Sequence, residues 1–438
     1  MKPFVIKNKF TPRGKICLAG DKSIAHRALI ISAISSGKTI IRNFPVHDDS
    51  LATLNALVAL GVKITRVNNQ VSVRGAKRLS KPNKPIFVNN SGTTLRLILG
   101  VLAGQDFETK ITAAKNLSAR PMARVNKPLR LMGARIAAKK RGAEEYSPLV
   151  ISGGSLKGIT YRMSVASAQV KSAILLAGLS ASGKTRVIER RSTRDHTERM
   201  LKAFGANINI KVNKNSVTLT PDRGLTSPEG IYIPGDISSA AFLTVLAIII
   251  PGAKVVIERV SLNPGRCGII NVLKRMGAKI KVMPFKNKQP RSFEPMGNII
   301  VTSGKLKAVV VNSSEVPSLI DELPVLMVAA CFAEGRTIIK GAGELRFKET
   351  DRINSMFINL RSMGADIRLI KSAGLENIVI NGKGGLNGAK LRSFGDHRTA
   401  MSMVVAALAA KGSSRLDDIS CISKSFPGFL ATLKSVLR

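Results

Sequence analysis

Long apolar runs such as AFLTVLAIII and MSMVVAALAA recur along the chain, each preceded by a short polar opening. The openings read Asp21-Lys22-Ser23, Ser91-Gly92-Thr93-Thr94, Ser167-Ala168-Gln169, Asp236-Ile237-Ser238-Ser239, Asp321-Glu322-Leu323-Pro324 and Asp396-His397-Arg398. Side chains of this kind accept the unpaired N–H groups of a first helical turn, so each opening predicts a helix start. The runs that follow are apolar on nearly every side, which predicts helices buried inside a domain rather than laid on its surface. Between them lie short extended segments and amphipathic helices, each ending in Leu, Met or Phe followed by Gly and then Ala or Val. That signature falls at Gly61, Gly133, Gly205, Gly277 and Gly364, spaced 72, 72, 72 and 87 residues apart. The chain is therefore built from repeats that mix helix with strand, too long for a solenoid of single helix pairs.

Five copies are complete, and a sixth opens at Asp396 but stops after the helix in FPGFLATLKSVLR. The chain begins with two short extended runs, VIKNKF and KICLAG, which we expect to supply the strands the last copy lacks. Three copies then fall in each half. Cutting at the first and fourth helix openings gives one domain of residues 21–235 and another of 1–20 plus 236–438. Both are of ordinary domain size.

Composition narrows the class. The 438 residues are 44% hydrophobic, enough to bury two cores. The apolar run ending at Ile250 is stopped by Pro251, and no segment has the layout of a secretion signal, so we expect a cytoplasmic chain without a membrane span. Cys17, Cys267, Cys331 and Cys421 are scattered, without a CxxC or a nearby His pair, which predicts reduced thiols and no metal site. With 69 basic against 27 acidic residues, the net charge of +42 favours anionic partners. The basic residues are spread over all copies, the longest run being Lys139-Lys140-Arg141, and there is no Trp and only three Tyr for base stacking. That distribution argues against a specific nucleic-acid surface.

Small anions suit the helix openings better, because free N–H groups and the helix dipole already favour negative charge there. In GDKSIAHRAL, Ser23 and Arg27 share a helix face with Lys22 beside them; in NNSGTTLR, Gly92 allows close approach and Arg96 sits one turn in. Arg120 precedes Pro121 in NLSARPM. In GELRFKETDRINSM, Lys348, Glu349 and Arg352 fall within five residues, and at a helix start Lys348 and Arg352 would share a face. A carboxylate flanked by cations suits proton transfer. Asp321, Arg398 and Lys424 are further candidates. The plainer meaning of each segment is a capped, ion-paired helix end.

Together these segments resemble the 5-enolpyruvylshikimate-3-phosphate (EPSP) synthases along essentially the whole chain. GDKSIAHRA, NNSGTTLR, NLSARPM, SAQVKSAILLAGL, TRDHTERML, DELPVL, FKETDR, GDHR and SKSFPGF look like the family's motifs in the family's order. The resemblance implies an α/β (α+β) fold of two domains, each of three βαβαββ units around buried helices, with a double crossover between domains. It implies transfer of the enolpyruvyl group of phosphoenolpyruvate to the 5-hydroxyl of shikimate 3-phosphate, releasing phosphate, by a monomer without cofactor. By motif match, Lys22, Ser23, Arg27, Ser167, Gln169, Arg194, Asp321 and Lys348 would hold shikimate 3-phosphate. Lys22, Gly92, Arg120, Gln169, Arg352, Arg398 and Lys424 would hold phosphoenolpyruvate. Glu349, assisted by Lys22, would handle the proton at the methylene carbon, and Asp321 would deprotonate the hydroxyl.

Two departures bear on the phosphate site: Ala25 and Ala168 stand where relatives often carry Ser. Gly92, rather than Ala, implies sensitivity to glyphosate. Two alternatives remain: the sister transferase acting on UDP-N-acetylglucosamine, disfavoured because AAKNLSARP lacks its reactive Cys, and an RNA-binding or RNA-processing protein on the same repeat fold, supported only by charge. With substrates bound between two domains, closure on binding is expected.

Overall fold

A computed structural model describes residues 4–7, 10–76, 78–222, 224–285, 292–372 and 374–437. Asn8 and Lys9 of the VIKNKF run lie outside them. The chain divides into two compact units. An early unit comprises Ala19–Ile233 and Lys288–Glu294, and a late unit comprises Met1–Leu18, Pro234–Asn287 and Pro295–Arg438. Glu294, which the sequence-based cut left with 236–438, thus belongs to the early unit. Its carboxylate meets Nδ1 of buried His196 at 2.7 Å.

Each unit carries three small sheets among its described residues, and all are variations on one plan. In the early unit, Lys38–Arg42 runs antiparallel to Gln70–Arg74, which pairs antiparallel with Lys63–Val67, while Gly230–Tyr232 adds a parallel strand at the edge. Glu108–Thr112 and Thr185–Ile188 occupy the same place in the next two sheets. The late unit repeats the plan with Lys254–Ser261 and Ala333–Ile339. The two N-terminal strands, however, do not both close the last repeat. Phe4–Ile6 does, pairing antiparallel with Ser414–Leu416, but Arg13–Cys17 runs parallel to Lys254–Ser261 in the sheet of the fourth repeat. Alternation within Arg13–Cys17 cannot tell one sheet edge from another, because only one of its residues is buried.

The apolar runs form the core helices: Lys22–Ala33, Gly92–Leu102 and Ala168–Gly178 early, and Ile237–Ile249, Leu323–Cys331 and His397–Ala409 late. In Ile237–Ile249 every residue from Ile237 to Ile248 is buried, as expected of a helix with no polar stripe. Asp21, Ser91, Ser167, Asp236 and Asp396 cap their helices through the side chain. Asp321 does not. The helix Leu323–Cys331 begins after Glu322 with no side-chain cap and takes Pro324 in its first turn, where no N–H is needed.

The repeated Gly has a single geometric cause. Gly61, Gly133, Gly205, Gly277 and Gly364 all have φ between +83° and +114° and each follows the last turn of an amphipathic helix. The next residue's N–H turns back to the helix, as in Ala206 to Leu201 (2.9 Å) and Ala278 to Leu273 (3.0 Å). This is the left-handed helix stop, a conformation that costs an L side chain about 1–2 kcal/mol. The Ala or Val that follows leads directly into the strand returning toward its sheet.

Candidate active site

Three core helices of the early unit bring their polar openings together. The helix Lys22–Ala33 places Arg27, only 3% exposed, against its neighbours. Nε donates to the Thr197 hydroxyl at 2.7 Å, Nη2 to that of Ser172 at 2.8 Å, and Nη1 to the Ser23 carbonyl at 2.9 Å. Every one of these acceptors is neutral. Burial, with the nearby Arg194 charge adding to it and Glu198 opposing it, pulls Arg27 down to about 10. Asp21 and Glu294 also favour its charge, but the guanidinium is bonded only to hydroxyls and a carbonyl, so no carboxylate in contact cancels that charge.

Gln169, in the first turn of Ala168–Gly178, links the second and third openings. Its Oε1 accepts from Arg96 Nη1 at 2.9 Å and its Nε2 donates to the Thr93 hydroxyl at 2.9 Å. Ser167 caps the same helix by accepting from the Val170 N–H. A methyl on Gly92 would lie 2.7 Å from Arg96 Nη1 and 3.4 Å from Arg120 Nη1, so the glycine makes room for two guanidinium groups. Lys22 pairs with Asp49 at 3.0 Å. Burial works to raise the Asp49 carboxyl, but the Lys22 charge outweighs it and holds it below the usual range. Behind this pair runs a buried chain in which His26 Nδ1, the Thr53 hydroxyl and the Thr94 hydroxyl are joined by contacts of 2.6 Å. Burial keeps His26 neutral, lowering it to about 3.

In the late unit the buried arginine is gathered with carboxylates. Arg352, 1% exposed on its side chain, meets Asp396 at 2.9 Å, Asp321 at 3.5 Å and Glu349 in a close ion pair. Burial opposes its charge, but those three carboxylates prevail and raise its proton affinity. Arg398 donates to the Asp321 carbonyl at 3.0 Å and faces Glu322 at 3.7 Å. Lys424 donates to the Gly395 carbonyl at 3.2 Å, just before the helix that carries Arg398. Lys348 is lowered, chiefly by burial and further by Arg352, with Asp321 pulling the other way. Lys348 and Arg352 do not share a helical face: Gly343–Phe347 is a 3-10 turn, Lys348 is extended, and the α-helix starts only at Arg352. Asp351 caps that helix by accepting from the Asn354 N–H at 3.0 Å. The four residues between the turn and the helix let Glu349 fold back on Arg352.

The early unit therefore contains Lys22, Ser23, Arg27, Gly92, Arg120, Ser167, Gln169 and Arg194, and the late unit contains Asp321, Lys348, Glu349, Arg352, Arg398 and Lys424. Sequence inspection missed Ser172 and Thr197, whose hydroxyls orient Arg27. It also missed Arg266, which is buried and lies 3.6 Å from Asp321 and 2.6 Å from the Ser238 hydroxyl. An Arg amid NPGRCGII, without a neighbouring acid, was the one available signal. Asp195, His196 and Glu294 also converge, but Arg199 pairs with both carboxylates, at 2.7 and 3.9 Å.

Residues 9–433 match the family described as EPSP synthase (3-phosphoshikimate 1-carboxyvinyltransferase). The chain belongs to the EPSP synthase family. A relative from Syntrophomonas wolfei, named 3-phosphoshikimate 1-carboxyvinyltransferase, is 45% identical over 427 residues, covering 97% of each chain. One of the same name from a Geobacter species is 45% identical over 440 residues and the full length of both. An EPSP synthase structure from Acinetobacter baumannii superposes with a TM-score of 0.87 at 40% identity, covering 99% of this chain and 98% of that one. Members of this family are α/β proteins, as this chain is, and neither relative carries the name of the UDP-N-acetylglucosamine enzyme. Among the described residues, no helix is long and apolar enough to cross a membrane.

Proposed function

We propose that this chain transfers the enolpyruvyl group of phosphoenolpyruvate to the 5-hydroxyl of shikimate 3-phosphate, releasing phosphate. Beyond family membership, the observation that carries this is Arg27, a buried cation whose hydrogen bonds all go to neutral oxygens. A phosphate supplies the missing charge, and a planar guanidinium binds it through paired N–H groups. Shikimate 3-phosphate takes Lys22, Ser23, Arg27, Ser167, Gln169 and Arg194, with Asp321 and Lys348 at its ring. Phosphoenolpyruvate takes Lys22, Gln169, Arg120, Arg352, Arg398 and Lys424 and lies against Gly92.

The reaction proceeds by addition and elimination. The methylene carbon of phosphoenolpyruvate gains a proton while the 5-hydroxyl, losing its own to Asp321, attacks the adjacent carbon; the tetrahedral ketal then loses a proton and expels phosphate. Glu349 gives and takes back the proton at the methylene carbon, with Lys22 assisting. Arg352 holds Glu349 in the free protein. An anionic substrate that takes the same guanidinium withdraws that partner, and the carboxyl's affinity for a proton rises. The chemistry needs no metal or organic cofactor, and we read the chain as acting as a cytoplasmic monomer.

The test is to incubate the protein with both substrates and follow phosphate release and product mass. Glu349→Gln should lower kcat by about 10²- to 10⁴-fold, the usual worth of a positioned proton carrier. If folded wild-type protein makes no product, the proposal is wrong; if Glu349→Gln matches wild type, the role of Glu349 is.

A further inference from the structure

Lys171 is buried where no substrate contact is assigned, 1% exposed on the helix that carries Ser167, Gln169 and Ser172. Its three N–H donors have three acceptors: Glu189 at 2.9 Å, Glu198 at 2.6 Å and the Thr193 carbonyl at 3.4 Å. These acceptors mark the start, middle and end of one segment. Glu189 follows the strand Thr185–Ile188, and Glu198 lies in the first turn of the helix His196–Ala203. Between strand and helix the backbone has no regular structure, and it carries Arg190, Arg191 and Arg194. The Thr193 hydroxyl also donates to Glu189, closing the segment on itself.

We propose that Lys171 is a positioning residue for shikimate 3-phosphate, holding the 189–198 segment so that Arg194 and Thr197 meet the phosphate site. This rests on the assignment of Arg194 made above. The peptide that joins Thr193 to Arg194 has its oxygen on the ammonium, which fixes where the Arg194 side chain begins. Thr197 precedes Glu198, and its hydroxyl accepts from Arg27 Nε and contacts the Ser172 hydroxyl at 2.7 Å. Lys171 and Ser172, adjacent on one helix, thus grip Glu198 and Thr197, adjacent on another. A buried ion triad is a poor device for stability alone, since apolar groups of the same volume usually do as well. Its use here is geometric.

The test compares three variants of the full chain: Arg194→Ala, the triple variant Lys171→Met/Glu189→Gln/Glu198→Gln, which removes all three buried charges together, and their combination. The proposal expects the triple variant to raise KM for shikimate 3-phosphate by about tenfold or more, the worth of a lost charge-assisted contact. Its kcat, and its KM for phosphoenolpyruvate at saturating shikimate 3-phosphate, should stay near wild type. Adding Arg194→Ala to it should raise the KM little further, because both changes remove one contact. A folded triple variant with unchanged KM, a proportional loss of kcat and both KM values, or full additivity with Arg194→Ala would overturn the proposal. Should the triple variant not fold, Glu189→Gln alone decides it: a raised KM for shikimate 3-phosphate at unchanged kcat supports it, and an unchanged KM overturns it. If Arg194→Ala itself leaves that KM unchanged in an active enzyme, the assignment of Arg194 fails and this proposal with it. A raised KM in Arg194→Ala with none in the triple variant removes Lys171 alone.

Discussion

The two units solve the problem of burying arginine in opposite ways. In the early unit Arg27 is held by hydroxyls and a carbonyl; in the late unit Arg352 is held by Asp321, Glu349 and Asp396. Neutral partners orient a guanidinium without cancelling its charge, so the charge remains available to an incoming anion. Carboxylate partners cancel it, which stabilises the free protein but makes any anionic ligand compete. Under the proposed function, the early cluster would take an anion directly, and the late cluster would exchange partners as a proton carrier must.

The largest difference should appear on removing each arginine. Arg352→Met leaves fully buried Asp396 without the guanidinium paired to it, and we expect a loss of about 3–5 kcal/mol in denaturant unfolding. Arg27→Met leaves the Ser23 carbonyl and two hydroxyls that also contact each other, and should cost about 1 kcal/mol of stability. Equal destabilisation by the two would erase the contrast. Kinetically Arg27→Met should raise KM for shikimate 3-phosphate by about tenfold to a hundredfold, the worth of charge-assisted hydrogen bonds to phosphate.

Acid should separate the units next. His26 falls from 6.5 to about 3 on folding, so the unfolded state binds the proton more tightly. Its contribution is intact above pH 6.5 and declines by about 1.4 kcal/mol per pH unit as pH falls from there toward 3. In the late unit, burial works to raise the Asp396 carboxyl but Arg352 and His397 outweigh it, leaving it below 3.8. That contribution is present above the unfolded value and is lost only as pH falls through the depressed one. Early-unit amides should therefore lose hydrogen-exchange protection at a higher pH than late-unit amides, and His26→Gln should flatten the decline between pH 6.5 and 4.

The smallest effect concerns Gly92. Gly92→Ala should push the Arg96 guanidinium off Gln169 and crowd Arg120, raising KM for phosphoenolpyruvate by up to about tenfold, the worth of one displaced hydrogen bond. Inhibition by glyphosate should weaken in the same variant. Unchanged constants for both would count against Gly92 lying at this site.

Much of this was legible beforehand because it depends on neighbours in sequence. Side-chain caps act over three residues, and the Gly that ends each amphipathic helix acts over five, so both leave signatures at fixed spacing. Asp321 shows the limit of that logic: it opens a motif much like Asp236 and Asp396, yet caps nothing and faces Arg266, Arg352 and Arg398 instead. Lys348 shows another, since proximity to a helix in sequence did not place it on that helix.

By itself, the sequence determined the repeat, the buried character of the core helices, most of their caps, and a set of cations at helix openings, all of them consequences of backbone hydrogen bonding and side-chain polarity within a few residues. Only the tertiary structure decided which sheet received Arg13–Cys17, which hydroxyls orient Arg27, and which carboxylates reach Lys171, Arg266 and Arg352. Those choices join residues up to 241 positions apart in sequence. They depend on which surfaces meet once the cores have packed, and no local pattern records that.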